Sequence, residues 1–470
     1  MATAAYDRTS AESILAHARL LLGKSLRELH PEAAAMAGKG GLGQCVEKFH
    51  FDYAPNSTAA PDFPEAGVEL KCTPLKRLQD GSMVAKERLV LNIINYVAEL
   101  DTRFETSSFS RKNALLLLMF YLHLAGVDRL DFIFRIVRLW RIPEEDLKIF
   151  MDDWAVIHKK IADGLAHELS EGDTLYLAAV TKGSKGGADK RPQPRSPELA
   201  DQRAYSIKAA YMNHIIVESL AHPEMCAGLT LSEGTRKAIE ARTAQMGSVV
   251  RSVKDYREGE TFEQLVHRKF ARFFGKTVSE IAKELGVTVS TSPKAVSYSV
   301  CRAILGVKAS RIAEFEKAGV QLKTIRLEAN GTLKEAMSFQ NIKYGEIIHE
   351  KNWEDSDWHD TIATRRFFFI VFRKKAGGGP SDAVLEKAFF WAMPQRDVAE
   401  AKAFWRDTRD KVRRGDYGHF LKQSQTRVCH VRPKAKNAAD TMPTPQGGSA
   451  KKYCYWLNRP YVLGIVNAAK

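Results

Sequence analysis

Long apolar runs are missing from this 470-residue chain. The two densest, Leu115 to Leu122 and Phe367 to Phe372, fall far short of the ~20 residues a membrane-spanning helix needs. They read as central strands, and no membrane partner is expected. No secretory pattern opens the chain, because Met1 to Arg8 leads straight into an amphipathic helix, Ala11 to Leu22. The six cysteines, at 45, 72, 226, 301, 429 and 454, include no Cys-x-x-Cys pair, and Cys429 beside His430 lacks zinc spacing. They read as buried thiols in a reducing, prokaryotic cytoplasm. Gly377-Gly378-Gly379-Pro380 lacks the Lys-Ser/Thr of a nucleotide-phosphate cradle and reads as a turn. No glycine-rich cofactor loop or Asn/Asp-Pro-Pro-Tyr segment is present, which sets aside a methyltransferase.

Acidic residues are the minority charge. Lys and Arg number 71 against 56 Asp and Glu, a formal net charge of +15. That excess implies attraction to a polyanion, although charge alone does not separate DNA from RNA or an acidic membrane surface. Basic clusters fall at Lys182 to Arg195, Arg373 to Lys375, Lys411 to Arg414 and Arg427 to Lys436.

The most informative segment is Pro61-Asp62-Phe63-Pro64-Glu65-Ala66-Gly67-Val68-Glu69-Leu70-Lys71. It reads as a turn carrying Asp62, followed by a strand in which Val68, Leu70 and Cys72 face one way and Glu69 and Lys71 the other. Two carboxylates beside one ammonium suit a divalent metal with a cation next to the attacking water, and Mg²⁺ accepts a few carboxylates plus waters and phosphate oxygens. Upstream, a glycine loop holding Lys39 runs into a helix whose Leu42, Cys45, Val46 and Phe49 form the apolar stripe. Glu47 lies off that stripe and is free to face a cleft.

Asp62, Glu69 and Lys71 follow the PD-(D/E)xK pattern, and with Lys39 and Glu47 the segment closely resembles the MutH-like endonucleases. The continuation through Thr73-Pro74-Leu75-Lys76 is similar to the two-domain GATC restriction endonucleases of the Sau-three-A type, and the resemblance covers nearly the whole chain. It implies Asp62 and Glu69 as metal ligands, with Glu47 binding metal or holding Lys71. Lys71 would orient water or stabilise the pentacovalent charge, and Lys112, before the next strand, matches a second lysine of those enzymes.

The chain also repeats itself. Phe63 to Lys71 returns as Phe315 to Lys323, and Leu21 to Leu26 returns as Phe273 to Val278, both at an offset of 252. Lys112 with its apolar strand parallels Arg366 with Phe367 to Val371, and Tyr205 to Tyr211 parallels Tyr455 to Tyr461. The expected fold is therefore mixed α/β, two tandem PD-(D/E)xK-type domains: a catalytic copy over 1–222, a connection over 223–257 and a degenerate copy over 258–470. At the same offset Asp62 becomes Glu314, Glu69 becomes Gln321 and Glu47 becomes Ser299, while Lys71 persists as Lys323. The second copy is expected to bind rather than cut.

By the same resemblance Arg432, Pro433 and Lys434 lie at the loop that reads GATC, with Lys434 the first candidate for a base contact. The first copy lacks Arg-Pro-Lys there and offers Lys182 or Lys185. Tyr205, Lys208 and Asn458 in the paired terminal segments are further candidate DNA contacts. The resemblance implies a Mg²⁺-dependent type II restriction endonuclease cutting double-stranded DNA at GATC, with an allosteric second domain. It further implies self-pairing on DNA and a cognate DNA methyltransferase as system partner without a stable complex. The alternatives are a nicking endonuclease of mismatch repair, disfavoured by the duplicated domain, and a catalytically silent DNA-binding regulator, disfavoured by the intact first motif.

Overall fold

A computed structural model describes residues 6–36, 41–54, 58, 60–78, 80–182, 189–228, 237, 240–241, 243–288, 293–437 and 439–469. Two units emerge. The first comprises Met1–Leu169, Thr174–Ser248 and Arg311–Gly319, and the second Ser170–Asp173, Val249–Ser310 and Val320–Lys470.

In the first unit, α1 (Ala11–Ala18) is capped by the Ser10 side chain, which accepts from the Ser13 amide. The Ser25–Glu28 capping box starts α2 (Leu26–Leu29). Helix α3 (Leu42–Cys45) continues into a π-helical turn, Val46–His50. Then follow β1 (Val68–Arg77), β2 (Met83–Ala85), β3 (Leu89–Ile93), α4 (Ser108–Lys112), β4 (Leu115–Leu122), β5 (Phe134–Trp140) and α5 (Glu144–Ala162). The unit closes with β6 (Leu177–Thr181), β7 (Lys190–Gln193), β8 (Ser196–Asp201), β9 (Arg203–Ile207) and α6 (Ala209–Leu220).

One sheet has the order β2-β1-β4-β5, with β1 parallel to β4 from Val68↔Leu115 to Leu75↔Leu122. The other two pairings are antiparallel. Strand β4 is apolar without alternation, and Leu116 to Phe120 are wholly buried, as a strand covered on both faces requires. Val68 and Leu70 join Leu42, Cys45 and Val46 in the core on one side of this sheet. A second, antiparallel sheet has the order β3-β9-β6, and β7-β8 form a hairpin.

The second unit contains α7 (Phe262–Ala271), α8 (Val278–Leu285) and α9 (Pro293–Leu305) before its sheets. The short pair β10 (Met246–Gly247) and β11 (Arg311–Ile312) belongs to the first unit. Strands β12 (Gln321–Leu327), β13 (Met337–Asn341), β14 (Phe367–Arg373) and β15 (Val384–Trp391) surround α10 (Asp357–Ile362), which precedes β14. Helix α11 (Gln395–Arg414), β16 (Cys429–Pro433), β17 (Thr441–Pro443), β18 (Ser449–Lys451), β19 (Tyr453–Leu457) and α12 (Arg459–Ala468) complete the unit.

Its topology repeats that of the first unit. Strand β12 runs parallel to β14, β14 antiparallel to β15, and β13-β19-β16 form the second sheet beside the β17-β18 hairpin. Even a local anchor recurs. The Gly23 amide donates to the Phe134 carbonyl at 2.8 Å and the Phe134 amide to the Lys24 carbonyl at 3.0 Å. Gly275, Leu385 and Lys276 make the same pair of bonds, each at 2.9 Å. Both glycines sit at positive φ, +83° and +84°, where a side chain would be strained. The repeat is one of topology as well as of sequence.

Two expectations change. Glu69 pairs with Leu116 and Gln321 with Phe367, so Arg366 occupies the register of Leu115 and not that of Lys112. Its guanidinium instead forks onto Glu263 at 2.6 and 2.7 Å. The segment Arg311–Gly319, on the second-copy side in sequence, packs with the first unit through the β10-β11 pairing and an ion pair of Lys317 with Asp146 at 2.7 Å. No helix among the described residues is long and apolar enough to cross a membrane.

Candidate active site

The turn after Asp62 creates the centre. Phe63 and Val68 exchange backbone hydrogen bonds at 2.9 and 3.1 Å, and Gly67 takes φ +65° to reverse the chain. This folds Asp62 back beside the start of β1. The Asp62 amide then donates to Glu69 Oε2 at 3.1 Å, and the Leu70 amide donates to Asp62 Oδ2 at 2.9 Å. Glu69 is only 2% exposed, because alternation turns it from the Val68 and Leu70 core into the cleft.

Two ammonium groups converge on one oxygen of Glu69. Lys71 Nζ donates to Oε1 at 2.6 Å, and Lys112 Nζ lies 3.7 Å from the same atom. Lys112 ends α4, and its Nζ also donates to the Thr58 carbonyl at 2.8 Å, which fixes its reach. The parallel β1–β4 pairing places Glu69 opposite Leu116, near the start of the strand that Lys112 precedes.

Glu47 comes from the π-helical turn, a geometry frequent at functional sites. Burial, and then the Asp62 carboxylate, push its pKa up to about 7. Burial also raises Glu69 above the usual carboxylate range, with Lys71 opposing that rise. The structure thus gathers Glu47, Asp62, Glu69, Lys71 and Lys112, with three carboxylates in mutual repulsion. A divalent cation would relieve that repulsion, so the donor set fits one. Among the described residues no ready-made cage of three or more ligands exists. Magnesium does not need one, since it is held by one or two carboxylates with waters and phosphate oxygens.

Sequence reasoning missed Tyr53. Its ring packs 5.5 Å from Phe63, and its hydroxyl is buried without a hydrogen-bond partner among the described residues. Burial, Asp62 and Glu47 together push its pKa far up, so it faces the carboxylates as a neutral phenol. Only its position three residues after His50, at the exit of the Glu47 turn, could have drawn attention to it.

The expected DNA contacts divide. Lys39 and Lys185 lie outside the described residues. Lys182 is exposed at the end of β6, and its amide donates to Gln202 at 2.8 Å; the Lys434 amide donates to Lys452 at 2.8 Å, so the two positions are structurally equivalent. Arg432 and Pro433 are exposed at the end of β16, with the Arg432 guanidinium 5.2 Å from the Trp456 ring centroid. Lys434 Nζ donates to the Phe339 carbonyl at 2.7 Å.

Three expectations are corrected. Tyr205 is wholly buried against Phe109, so its ring belongs to the core and not to a DNA surface. Lys208 is buried at the N-cap of α6, its Nζ bonded to the Thr174 carbonyl at 2.5 Å. Asn458 stands at the N-cap position of α12, and its side chain bridges His430 Nδ1 at 2.6 Å and the Thr426 carbonyl at 2.7 Å, which makes it a strut between elements.

Residues 51–153 match the family model of the DNA mismatch repair enzyme MutH, a span that includes Asp62, Glu69, Lys71 and Lys112. Over 476 residues the chain is 31% identical to the type II restriction enzyme Sau3AI of Staphylococcus aureus, with 94% of this chain and 91% of that protein covered. The chain belongs to the MutH-like family of Sau3AI-type restriction endonucleases.

Proposed function

We propose that the protein is a type II restriction endonuclease that hydrolyses double-stranded DNA at GATC with Mg²⁺. The observation that carries this reading is the buried Glu69 carboxylate held between Lys71 and Lys112, with Asp62 bonded across it. Asp62 and Glu69 would hold the ion, with Glu47 assisting. A bound Mg²⁺ supplies Lewis acidity and a more acidic water at the scissile phosphate. Lys71, oriented by Glu69, places positive charge where the phosphorane charge develops and holds the attacking water. Lys112 fixes the far side of Glu69, and Glu47, raised by burial and by Asp62 in the absence of metal, would be held ionised beside the cation.

The nuclease is assigned to the first copy, 1–222, joined through 223–257 to a binding copy, 258–470. In the second copy Gln321 and Ser299 replace Glu69 and Glu47, which removes anionic ligands. That copy would engage DNA allosterically, and two chains would pair on DNA to cut both strands. A cognate methyltransferase would protect host sites, in a prokaryotic cytoplasm.

Digestion of an unmethylated plasmid with several GATC sites tests the reading. Discrete fragments ending at GATC with Mg²⁺, and none with EDTA, are expected. Nicked circles alone would indicate repair-type nicking, and retarded but uncut DNA would contradict the nuclease assignment.

A further inference from the structure

The second unit contains an open cavity of about 880 Å³ floored by β12 and β13. Gln321 and Lys323 line it, at the positions that Glu69 and Lys71 occupy in the first copy, and Lys434 enters from the end of β16. Lys323 Nζ donates to the Ser338 carbonyl at 3.3 Å and Lys434 Nζ to the Phe339 carbonyl at 2.7 Å. These are consecutive carbonyls, in the stretch of β13 where the pairing with β19 slips register between Ser338 and Asn341. The irregularity holds the two ammonium groups as neighbours, and Lys323 also lies 4.6 Å from the Phe339 ring centroid.

The contrast with the first copy is chemical. There Lys71 has a carboxylate at 2.6 Å, whereas Gln321 offers Lys323 only an amide. Burial lowers the Lys323 pKa, and the Lys434 charge lowers it further. Arg326 and Lys334 add positive charge to a lining that also holds two carboxylates, Glu328 and Glu335, and Glu328 is engaged by Lys374 at 2.7 Å. An anion with several oxygens would bridge Lys323 and Lys434 and relieve their repulsion. The cavity is also far larger than a simple ion needs, which suits one group within a polymer.

We propose that this former active-site cleft binds a DNA backbone phosphodiester without metal, clamped between Lys323 and Lys434. This rests on the reading of the second copy as a DNA-binding module and adds what it grips and how. Losing two of the three carboxylates, those at the Glu69 and Glu47 positions, converts a metal-dependent cutting centre into a metal-independent phosphate clamp.

The test is duplex binding by the full chain in EDTA, followed by fluorescence anisotropy over a series of salt concentrations. Each phosphate contact contributes about 0.9 to the slope of log affinity against log salt. Lys323→Gln and Lys434→Gln should each flatten the slope by about that amount, for duplexes with and without GATC, and Lys323→Arg should restore it. Because Lys323→Gln removes one of two neighbouring cations, its melting temperature without DNA should not fall below that of the parent chain. Unchanged slopes in both glutamine variants would overturn the clamp, as would a requirement for Mg²⁺ in binding. Displacement of duplex by a deoxynucleoside monophosphate at equal phosphate concentration would overturn the assignment to polymer. Plasmid cleavage in Mg²⁺ separates the two claims. Flattened slopes in a chain that does not cut leave the clamp standing and sink the nuclease, and normal cutting with unchanged slopes does the reverse.

Discussion

Replacing Glu69 with Gln makes the first copy resemble the second at one atom, and the structure assigns that change a large effect on activity and a small one on stability. Glu69 Oε1 accepts from Lys71 at 2.6 Å and faces Lys112 at 3.7 Å, while Oε2 accepts from the Asp62 amide at 3.1 Å. A Gln side chain keeps the shape and one acceptor but loses the charge. The weakened charge-assisted bond costs ~1.5–3 kcal/mol. Against that loss, burial disfavours the ionised carboxyl, as its raised pKa records, and removing a buried ion recovers several kcal/mol of desolvation. The two terms nearly offset, so global stability should stay within ~2 kcal/mol of the parent chain. Cleavage should fall about 10³-fold or more, because a single misplaced electrostatic group already costs ~10²–10³ and Glu69 serves both the metal and Lys71. Plasmid cleavage rates and urea denaturation read the two quantities separately. Activity within tenfold of the parent, or a stability loss of the ~3–5 kcal/mol typical of a broken buried pair, would refute the reasoning.

Further outcomes follow from other buried polar groups. His17 Nε2 bonds the His50 carbonyl at 2.7 Å, His50 Nε2 bonds the His17 carbonyl at 3.0 Å, and His30 Nε2 meets His50 Nδ1 at 3.0 Å. Burial lowers the His50 pKa from 6.5 to about 3, so between those values the unfolded chain binds the extra proton and stability falls with pH. Denaturation at pH 7 and pH 5 should show a His50 contribution of about 2 kcal/mol lost at the lower pH, absent in His50→Gln. The Asp153 carboxylate accepts the amides of Leu175, Tyr176 and Leu177 at 2.8, 2.6 and 2.9 Å, so Asp153→Ala should cost ~3 kcal/mol or more in the same assay. Lys208→Gln should lower stability by ~1–3 kcal/mol and leave the salt dependence of DNA binding unchanged, whereas a DNA-contacting lysine would alter it.

The strand carrying Glu69 and Lys71 was legible because period-two alternation leaves few options once Val68 and Leu70 must be buried. The repeat was legible from a constant offset, and the structure extends it to matched sheets and to the Gly23 and Gly275 anchors. Polar residues near the copy ends were not legible. Lys208 and Asn458 sit at helix N-caps where tertiary packing buries them, and nothing in Ser-Ile-Lys or Trp-Leu-Asn distinguishes a cap from a DNA contact. Arg366 shows the same limit, because a basic residue before an apolar strand looked like Lys112 until the strand register shifted it onto Glu263. Tyr53 escaped because its role depends on a π-helical turn that the apolar stripe does not announce.

On the proposed function, cutting resides in the first copy alone. Single-turnover cleavage of a GATC duplex with Mg²⁺, comparing Asp62→Ala with Gln321→Ala, tests it most directly. No detectable cleavage is expected from Asp62→Ala, and a near-parental rate constant for enzyme-bound duplex from Gln321→Ala. Cleavage that survives Asp62→Ala, or is abolished by Gln321→Ala, would contradict it.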